Sequence, residues 1–411
     1  MRTDLRTPRV FNPMVREGPS EQELEWLEIL DSELHKVWAL GRNLILVWSA
    51  KGRGMHVLVI PHYTISEHAG VAHADAEAAG SSALGLQPRS FMEEVIANPK
   101  QVTKEGLDSL AQMTGYDPVE IELPFVPEMD LHPELIESVV QRYSISYVDD
   151  RAVALFDIVG FSLFSALEQV TQLNSLSYSV NAAYSKMLSK KIDISFARST
   201  TGDGYYIWNR DRSVQANVNL YHFMHLVLAD NALARAKSSH NTTPLLRACF
   251  HMGGHYEFYQ SEGLSPTVYS YIVGDVTIEL ARMIDRALPG QILVGDFDAP
   301  MPDHTSLQAQ RIRTVGFIER TQETLSSLEG LTLSGDSISD IKCYLTGEKR
   351  QQEDGNGEFA IKRYSIADKH GFTRNVYNAK VNIYRENGEP VYLGVQESDL
   401  GDFIREDEDF V

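Results

Sequence analysis

The chain has 411 residues and a formal net charge of −20, so it is long enough for two or three domains with substantial cores. The acidic balance argues against a nucleic-acid or anionic-membrane partner, because either would be repelled at long range. The two cysteines suggest neither a disulfide framework nor a zinc site, and no apolar run approaches the roughly 20 residues of a membrane helix. We therefore expect a soluble protein in a reducing, cytoplasmic setting.

The first 147 residues are predicted to form an α/β region, and the sequence does not indicate its role. Ser20-Glu-Gln-Glu23 has the pattern of a capping box, which predicts that a helix starts there. Residues 43–49 and 55–61 are predicted strands joined by a Gly-rich turn. Residues 90–145 are predicted to be mostly helical, with breaks at prolines.

A strand, turn and helix pattern carries the first candidate functional residue. In Val153-Ala-Leu-Phe-Asp-Ile-Val-Gly-Phe-Ser162, an apolar strand ends on Asp157, and apolar residues then recur at helical spacing. A buried charge at such a turn is costly unless a partner compensates it. A metal ion that carries substrate phosphates toward the backbone N–H groups of a helix start is a suitable partner.

The second candidate lies in Arg198-Ser-Thr-Thr-Gly-Asp-Gly-Tyr-Tyr-Ile-Trp208, where β-rich runs flank a Gly-Asp-Gly tip. This pattern predicts a hairpin. Asp203 is the acid at the tip, and the glycines beside it leave room for a ligand near the backbone. Two aspartates on adjacent strands could share a pair of Mg²⁺ or Mn²⁺ ions. For Asp203 alone, an ordinary turn aspartate is the alternative interpretation.

Two later segments complete a recognisable series. Leu246-Arg-Ala-Cys-Phe-His-Met-Gly-Gly254 is a predicted strand that closes on glycines, and Tyr269 to Arg282 is predicted to be a strand, a turn and a helix. In this order the four segments resemble the catalytic domain of class III nucleotidyl cyclases. That family's pattern is Phe-x-Asp-Ile-x-x-Phe-Ser/Thr, Gly-Asp at a hairpin tip, Arg-x-Gly-Ile-His-x-Gly, then Gly-x-x-x-Asn-x-Ala-x-Arg. Pro289-Gly-Gln-Ile-Leu-Val294 matches the strand that ends the domain.

The alternation of strands and helices predicts an α+β or α/β sandwich with one sheet covered by helices. The resemblance covers residues 148–298 and implies an α+β fold in which a ferredoxin-like core sheet is covered by helices. Residues 305–411 are predicted to form a small β-rich domain. Its segments Tyr364-Ser-Ile-Ala-Asp-Lys-His-Gly371 and Asn375 to Tyr384 are similar to the AGS-C sensor domain that follows antiviral cyclases.

The resemblance implies a chemical role for particular residues. In this family two metal ions, held by two aspartates, bring a ribose 3′-hydroxyl in line with the α-phosphorus, and diphosphate leaves. Here the aspartates would be Asp157 and Asp203, with two Mg²⁺ or Mn²⁺ ions per site. Arg282 stands at the position of the arginine that stabilises transition-state charge. Ile158 and Phe161, in the first motif, would contact the nucleoside triphosphate substrate.

Family sites combine the aspartates of one protomer with the arginine of the other, so the resemblance also implies a homodimer with active sites at its interface. One position departs from the pattern. Ile278 stands where the family has a transition-state asparagine, and an isoleucine cannot hydrogen-bond ribose. Either Thr277 or Glu279 must substitute, or that contact is absent.

The predicted base pocket departs from the family as well. Ser199 and Tyr271 stand where adenylate cyclases have Lys and Asp and where guanylate cyclases have Glu and Cys. A small hydroxyl facing a bulky aromatic ring favours a single-ring base over a purine. With the C-terminal domain, this pattern resembles the pyrimidine cyclases of bacterial Pycsar anti-phage systems, which make cUMP or cCMP.

Two alternatives stay open at this point: an adenylate cyclase with an unusual pocket, and a catalytically silent nucleotide-binding regulator. Retention of Asp157, Asp203 and Arg282 favours an enzyme.

Overall fold

The structure is a computed structural model that describes residues 19–66, 91–192, 194–238, 241–261, 268–301, 310–333, 335–350, 358–367, 373–401 and 406–410. The α-helices whose bounds lie within these residues are α1 (Glu21–Trp38), α2 (Phe91–Ala97), α3 (Lys104–Thr114), α4 (Pro133–Val140), α5 (Ala166–Ser189), α6 (Val214–Lys237), α7 (Asp275–Arg286) and α8 (Thr314–Thr324). Strands β1 to β9 are Asn43–Ala50, Gly54–Pro61, Val119–Glu122, Ile145–Ile158, Phe196–Thr200, Gly204–Asn209, Leu246–Ser261, Val268–Val273 and Ile292–Gly295. Strands β10 to β18 are Asp298–Met301, Gln310–Arg313, Thr332–Leu333, Asp336–Leu345, Gly347–Arg350, Glu358–Ala367, Thr373–Arg385, Val391–Leu393 and Glu406–Phe410.

The chain divides into two compact units. Unit 1 consists of Met1–Val148 and His255–Val273, and unit 2 consists of Asp149–Gly254 and Gly274–Val411. All candidate site residues lie in unit 2 except Tyr271, which lies in unit 1. The division into domains at residues 1–147, 148–298 and 305–411 stays a prediction.

Unit 1 contains a sheet of β1, β2 and β3 with α1 and α4 packed in the same core. The predicted capping box is confirmed: the Glu23 N–H donates to the Ser20 hydroxyl, and the Ser20 N–H donates to the Glu23 carboxylate at 2.7 Å. These contacts satisfy N–H groups that a helix start leaves without intrahelical partners. The buried face of α1 repeats at helical spacing and consists of Leu27, Leu30, Leu34 and Trp38.

The prediction of mostly helical structure over residues 90–145 is only partly right. Helices α2, α3 and α4 lie there, but Val119–Glu122 forms β3 and pairs antiparallel with β2, from Gly54 to Val57. A four-residue strand has little periodicity of its own. Its partner is about sixty residues earlier in the chain, so the pairing depends on tertiary contacts that local pattern does not contain.

Unit 2 is built on a mixed sheet with the strand order β12-β13-β16-β9-β7-β4-β6-β5. Strand β9 pairs parallel to β7, whereas β4 with β6 and β5 with β6 are antiparallel. Helices α5 and α6 pack over this sheet, and their apolar side chains share its core. The predicted α+β fold class is confirmed.

Helix α6 occupies the centre of this core. Its buried apolar residues include Val218, Tyr221, Met224, Leu228 and Leu233. The other sides of the helix are buried as well, and they carry polar side chains that include Asn217, His222 and Asn231.

The strands of the C-terminal region join the same sheet. Strand β16 pairs antiparallel with β9, with Val376 opposite Gly295 and Ala379 opposite Ile292. The segment Asp368-Lys369-His370 lies outside the described residues. The strand predicted to close on glycines at residue 254 instead continues through them to Ser261. A Cβ on Gly253 would lie 3.5 Å from the Val276 side chain, an ordinary contact distance, so this glycine does not end the strand and packing against α7 does not require it.

Candidate functional site

The two predicted metal aspartates lie side by side in unit 2. Asp157 is the next-to-last residue of β4, and its register partner on β6 is Gly204, the residue after Asp203. The Ile158 N–H donates to the Asp203 carbonyl at 3.1 Å, which fixes the hairpin tip against the end of β4. Asp157 is 7% exposed and Asp203 is partly exposed. The predicted hairpin is therefore confirmed, and it brings the two carboxylates to the same end of the neighbouring strands β4 and β6.

Glycine is required beside Asp203 for a steric reason. A Cβ on Gly204 would lie 1.9 Å from the Phe156 carbonyl oxygen, a distance that no side chain tolerates. Gly202 has a φ of +101°, which residues with side chains rarely adopt. The Gly-Asp-Gly tip thus allows β6 to approach β4 closely enough for its aspartate to reach Asp157.

Arg247 is a site residue that the sequence analysis missed. Its Nε donates to Asp157 Oδ2 at 2.6 Å, and its Nη1 donates to the Ala287 carbonyl at 3.1 Å. The guanidinium is therefore fixed at both ends, and it holds one oxygen of the Asp157 carboxylate in place. Arg247 occupies the first position of the Arg-x-Gly-Ile-His-x-Gly motif. This match is the feature of the sequence from which Arg247 could have been predicted as a candidate site residue.

Burial raises the pKa of the Asp157 carboxyl, the hydrogen bond and charge of Arg247 oppose this shift, and the Asp203 carboxylate raises the pKa further. Two acids that interact in this way repel one another when both are ionised. A cation between them would relieve that repulsion, so the donor set fits a divalent ion that prefers carboxylate oxygen. Among the described residues, no group of three or more His, Cys, Asp or Glu side chains is arranged to hold a metal ion. The remaining ligands would have to be substrate or solvent oxygens.

The hairpin also contacts the helix that carries Arg282. Tyr206 lies opposite Ser199 in the β5–β6 register, and its hydroxyl donates to the Thr277 carbonyl at 3.2 Å. Thr277 is in the first turn of α7, and Arg282 is partly buried further along the same helix. The structure therefore brings β6, with its neighbour Ser199, next to α7 within unit 2.

The position of the family's asparagine has no polar replacement. Ile278 is 47% exposed. The Thr277 hydroxyl donates to the Gly274 carbonyl at 2.8 Å and accepts from the Gly274 N–H, so it caps its own helix. Glu279 forms an ion pair with Arg374, with 2.7 Å between Oε2 and Nε. Both suggested substitutes are thus engaged elsewhere.

The remaining predicted residues are placed as follows. Ile158 is 2% exposed and its side chain belongs to the core, so this side chain is not available to contact a substrate. Phe161 begins a short 3₁₀ turn after β4 and packs partly against the core. Tyr271 is 37% exposed and stacks on Phe258, with ring centroids 5.6 Å apart. Because Tyr271 lies in unit 1, its pairing with Ser199 across a base stays a prediction.

The described helices include none that is long and apolar enough to cross a membrane. No protein-family model matches the chain. A search of curated proteins likewise found no match.

Solved structures that are similar to this chain include nucleotidyl cyclases. The guanylate cyclase domain of RhGC from Catenaria anguillulae, solved with GTP, is 10% identical, with a TM-score of 0.33, over 59% of this chain and 100% of that one. The adenylyl cyclase CyaB from P. aeruginosa is 14% identical, with a TM-score of 0.34, over 63% of this chain and 100% of that one. A bacterial light-regulated adenylyl cyclase is 12% identical, with a TM-score of 0.30, over 76% of this chain and 97% of that one. Identities and TM-scores this low do not assign a function to this chain.

Proposed function

We propose that this chain is a nucleotidyl cyclase of the class III type that converts a nucleoside triphosphate to a 3′,5′-cyclic nucleotide and diphosphate. The observation that carries the proposal is that Asp157 and Asp203 lie together at the paired ends of β4 and β6, and that Arg247 is hydrogen-bonded to Asp157. Burying a carboxylate at a strand end beside a second carboxylate lowers the stability of the folded chain. This cost favours a functional role for the pair.

Each of these residues has a distinct task in the proposed reaction. Asp157 and Asp203 would hold Mg²⁺ or Mn²⁺ through their carboxylate oxygens. When bound, such ions polarise the α-phosphate and lower the pKa of the attacking 3′-hydroxyl. Arg247 keeps the Asp157 carboxylate in one orientation, because its own guanidinium is anchored on the Ala287 carbonyl. The chain thereby positions the acids before substrate arrives.

Arg282 would stabilise the charge that develops on the α-phosphate. We propose that it acts on the site of a second copy of the chain, in a homodimer. The exposed apolar side chains of the segment after β4 support this assembly, because they follow one face from the 3₁₀ turn along α5: Leu163 (87% exposed), Leu167 (77%), Val170 (64%) and Tyr178 (68%).

The proposed substrate is a pyrimidine triphosphate, with UTP favoured over CTP by family resemblance, and the cyclic product would act as a second messenger in anti-phage defence. Support comes from Ser199, a small hydroxyl that can donate or accept, and from the bulk of Tyr271. Shortening Tyr271 to Ala is expected to relax the exclusion of purines and to lower pyrimidine turnover.

Product chromatography tests the proposal directly. The full chain is incubated separately with ATP, GTP, CTP and UTP and with Mn²⁺, and cyclic products are separated and quantified. We expect cUMP or cCMP from the wild-type chain, and little cAMP or cGMP. Faster production of cAMP than of either pyrimidine product would overturn the pyrimidine assignment. The chain would then be interpreted as an adenylate cyclase.

A silent nucleotide-binding regulator is the second candidate, and the α7 region favours it. Ile278 offers no hydrogen bond, and Thr277 and Glu279 are engaged with Gly274 and Arg374. Equilibrium binding of UTP with Ca²⁺ in place of Mn²⁺, measured beside the turnover assay, separates the candidates. Tight binding without any cyclic product from the four triphosphates identifies a regulator.

A further inference from the structure

Tyr206 connects the hairpin that carries Asp203 to the helix that carries Arg282. It lies on β6, and its hydroxyl donates to the Thr277 carbonyl, in the first turn of α7, at 3.2 Å. Neighbouring residues of a strand face opposite sides of a sheet, so Tyr206 lies on the α7 side and Tyr205 lies on the side of the apolar core. Asp203 and the start of α7 are thus joined by a short stretch of strand and one hydrogen bond.

The Tyr206 hydroxyl is suited to act as a lasting donor. Tyr206 is half-buried, and this burial raises the pKa of its hydroxyl, with further increases from Cys249 and Asp285. The group therefore keeps its proton at neutral pH and can donate. A carbonyl oxygen has two lone pairs, so Thr277 can accept this bond without losing its bond within the helix.

The apolar face of α7 decides which side of the helix meets the sheet. Its buried residues are Val276, Leu280, Met283 and Ile284. The hydrophobic effect has no direction, so contacts of this kind resist a shift of the helix along the sheet only weakly. Directional contacts are needed to fix that position.

Hydrogen bonds supply this direction at both ends of α7. Tyr206 bonds to the start of the helix, and Arg247 on β7 bonds to the Ala287 carbonyl at its end. Other polar contacts tie α7 to β15 and β16, strands that carry none of the predicted site residues. A hydrogen bond weakens steeply when its geometry changes, so the first two contacts hold α7 in register with the strands of the candidate site.

Arg282 lies between these two contacts. With a rise of about 1.5 Å per residue, it is about 7.5 Å from Thr277 along the helix axis. A guanidinium that stabilises developing charge must be placed accurately, because a misplacement of about 1 Å can reduce the rate roughly a hundredfold. A shift of the helix start would therefore reduce the contribution of Arg282 to the reaction.

We propose that Tyr206 is a positioning residue, whose hydroxyl holds the start of α7 against the β5–β6 hairpin and thereby places Arg282 for the reaction. This role rests on the proposed function, in which Arg282 acts on the site of the second protomer. The bond from Tyr206 to Thr277 lies within one protomer. Tyr206 therefore serves the site to which its own α7 contributes Arg282, and not the site of its own aspartates.

Steady-state kinetics of Tyr206→Phe test the role, because phenylalanine keeps the ring and removes only the hydroxyl. We expect kcat to fall about tenfold, with the KM for the triphosphate within about twofold of wild type. Tyr205→Phe is the matched control, since it keeps the ring that lies under the Arg198 guanidinium, and it should leave kcat unchanged. A higher KM with unchanged kcat in Tyr206→Phe would indicate a substrate contact instead and overturn the proposal. Equal losses of kcat in the two variants would also overturn it.

Mixed dimers show which site the hydroxyl serves. Chains with Asp157→Asn and chains with Arg282→Ala together form one complete site, in which the Asp157→Asn chain supplies the arginine. Adding Tyr206→Phe to that chain should lower kcat about tenfold, whereas adding it to the Arg282→Ala chain should have little effect. Equal losses in both pairings would indicate a general structural role and overturn the proposal. If the pair without Tyr206→Phe regains no activity, the shared site fails and the proposal fails with it.

Hydrogen exchange separates this proposal from the proposed function, because it needs no turnover. The Thr277 and Ile278 amides bond to the Gly274 carbonyl in the first turn of α7, and Tyr206→Phe should speed their exchange severalfold. Tyr205→Phe should not change it. Unchanged exchange in Tyr206→Phe would overturn the proposal even in an active cyclase. Faster exchange in a chain whose wild type makes no cyclic product would instead refute the proposed function, and with it the catalytic part of this role.

Discussion

The candidate site has a β4 end and an α7 end, and the two ends differ in whether their polar side chains are positioned for the proposed reaction. At the β4 end, Arg247 bonds to both Asp157 and the Ala287 carbonyl, and the β4–β6 register brings Asp203 beside Asp157. At the α7 end, Ile278 is exposed, and the polar side chains beside it are bonded elsewhere. The half of the site that would hold metal and phosphate is thus preorganised, whereas the half that would hold ribose is not. Preorganised charge contributes most to catalysis, so we expect substitutions to have unequal effects at the two ends.

The largest effect is expected for the carboxylates. Asp157→Asn and Asp203→Asn should each reduce cyclisation by more than about a hundredfold, because each removes a charged metal ligand. Neither should lower the thermal unfolding temperature appreciably, since asparagine keeps the shape of aspartate, retains an oxygen that can accept from Arg247 at position 157, and removes the repulsion between the two carboxylates. Initial rates with Mn²⁺ and a thermal melt measure the two effects.

Asp340→Asn is the matched control, because Asp340 forms a surface ion pair with Lys342 in the same unit. It should retain wild-type activity. Near-normal turnover by either catalytic variant would remove the basis of the two-carboxylate assignment.

The next largest effect concerns Arg282. Arg282→Ala should lose roughly a hundredfold in turnover, the loss typical for one preorganised donor at a developing charge. Mixing it with inactive Asp157→Asn should restore part of the activity, because one of the two sites in a mixed dimer is then complete. If subunit exchange is shown independently and the mixture stays inactive, the arginine and the aspartates act within one protomer.

A smaller effect is expected for the residue that positions Asp157. Arg247→Lys keeps the positive charge but cannot bridge Asp157 and the Ala287 carbonyl with a rigid fork. We expect a loss of about tenfold in apparent Mn²⁺ affinity with a smaller change in the maximal rate. A Mn²⁺ titration of the initial rate measures both quantities. Equal loss in Arg247→Lys and Arg247→Ala would confirm that geometry matters more than charge, and full activity in Arg247→Lys would refute the positioning role.

The smallest expected effect is an increase in turnover caused by a substitution at the α7 end of the site. Ile278→Asn restores the side chain that the family has at this position, and one new hydrogen bond to ribose contributes about 0.5–1.5 kcal/mol. Turnover should therefore rise by about two- to tenfold, and the fold should be unaffected because the residue is exposed. Ile278→Ala serves as the control for loss of the side chain. An unchanged rate in Ile278→Asn would mean that this end of the site does not contact ribose.

Local pattern alone was sufficient for several elements. The capping box at Ser20, the hairpin around Asp203 and the apolar strand that ends at Asp157 were all predicted from the sequence. Each depends on backbone preferences and on periodicities within about ten residues, which a sequence displays directly. The two candidate metal ligands could be named for the same reason.

Tertiary structure alone decided which polar groups these residues meet. Arg247 reaches Asp157 across 90 positions of sequence, β3 pairs with β2, and β16 pairs with β9. It also paired Glu279 with Arg374, whereas the Thr277 hydroxyl is engaged by a local contact with Gly274, three residues earlier. Such partners are set by strand order and packing, and the free energy of a long-range contact depends on elements far apart in the chain. The sequence by itself determined the elements that have a strong local pattern, whereas the tertiary structure determined strand β3, the end of β7 and the partners of the side chains at the candidate site.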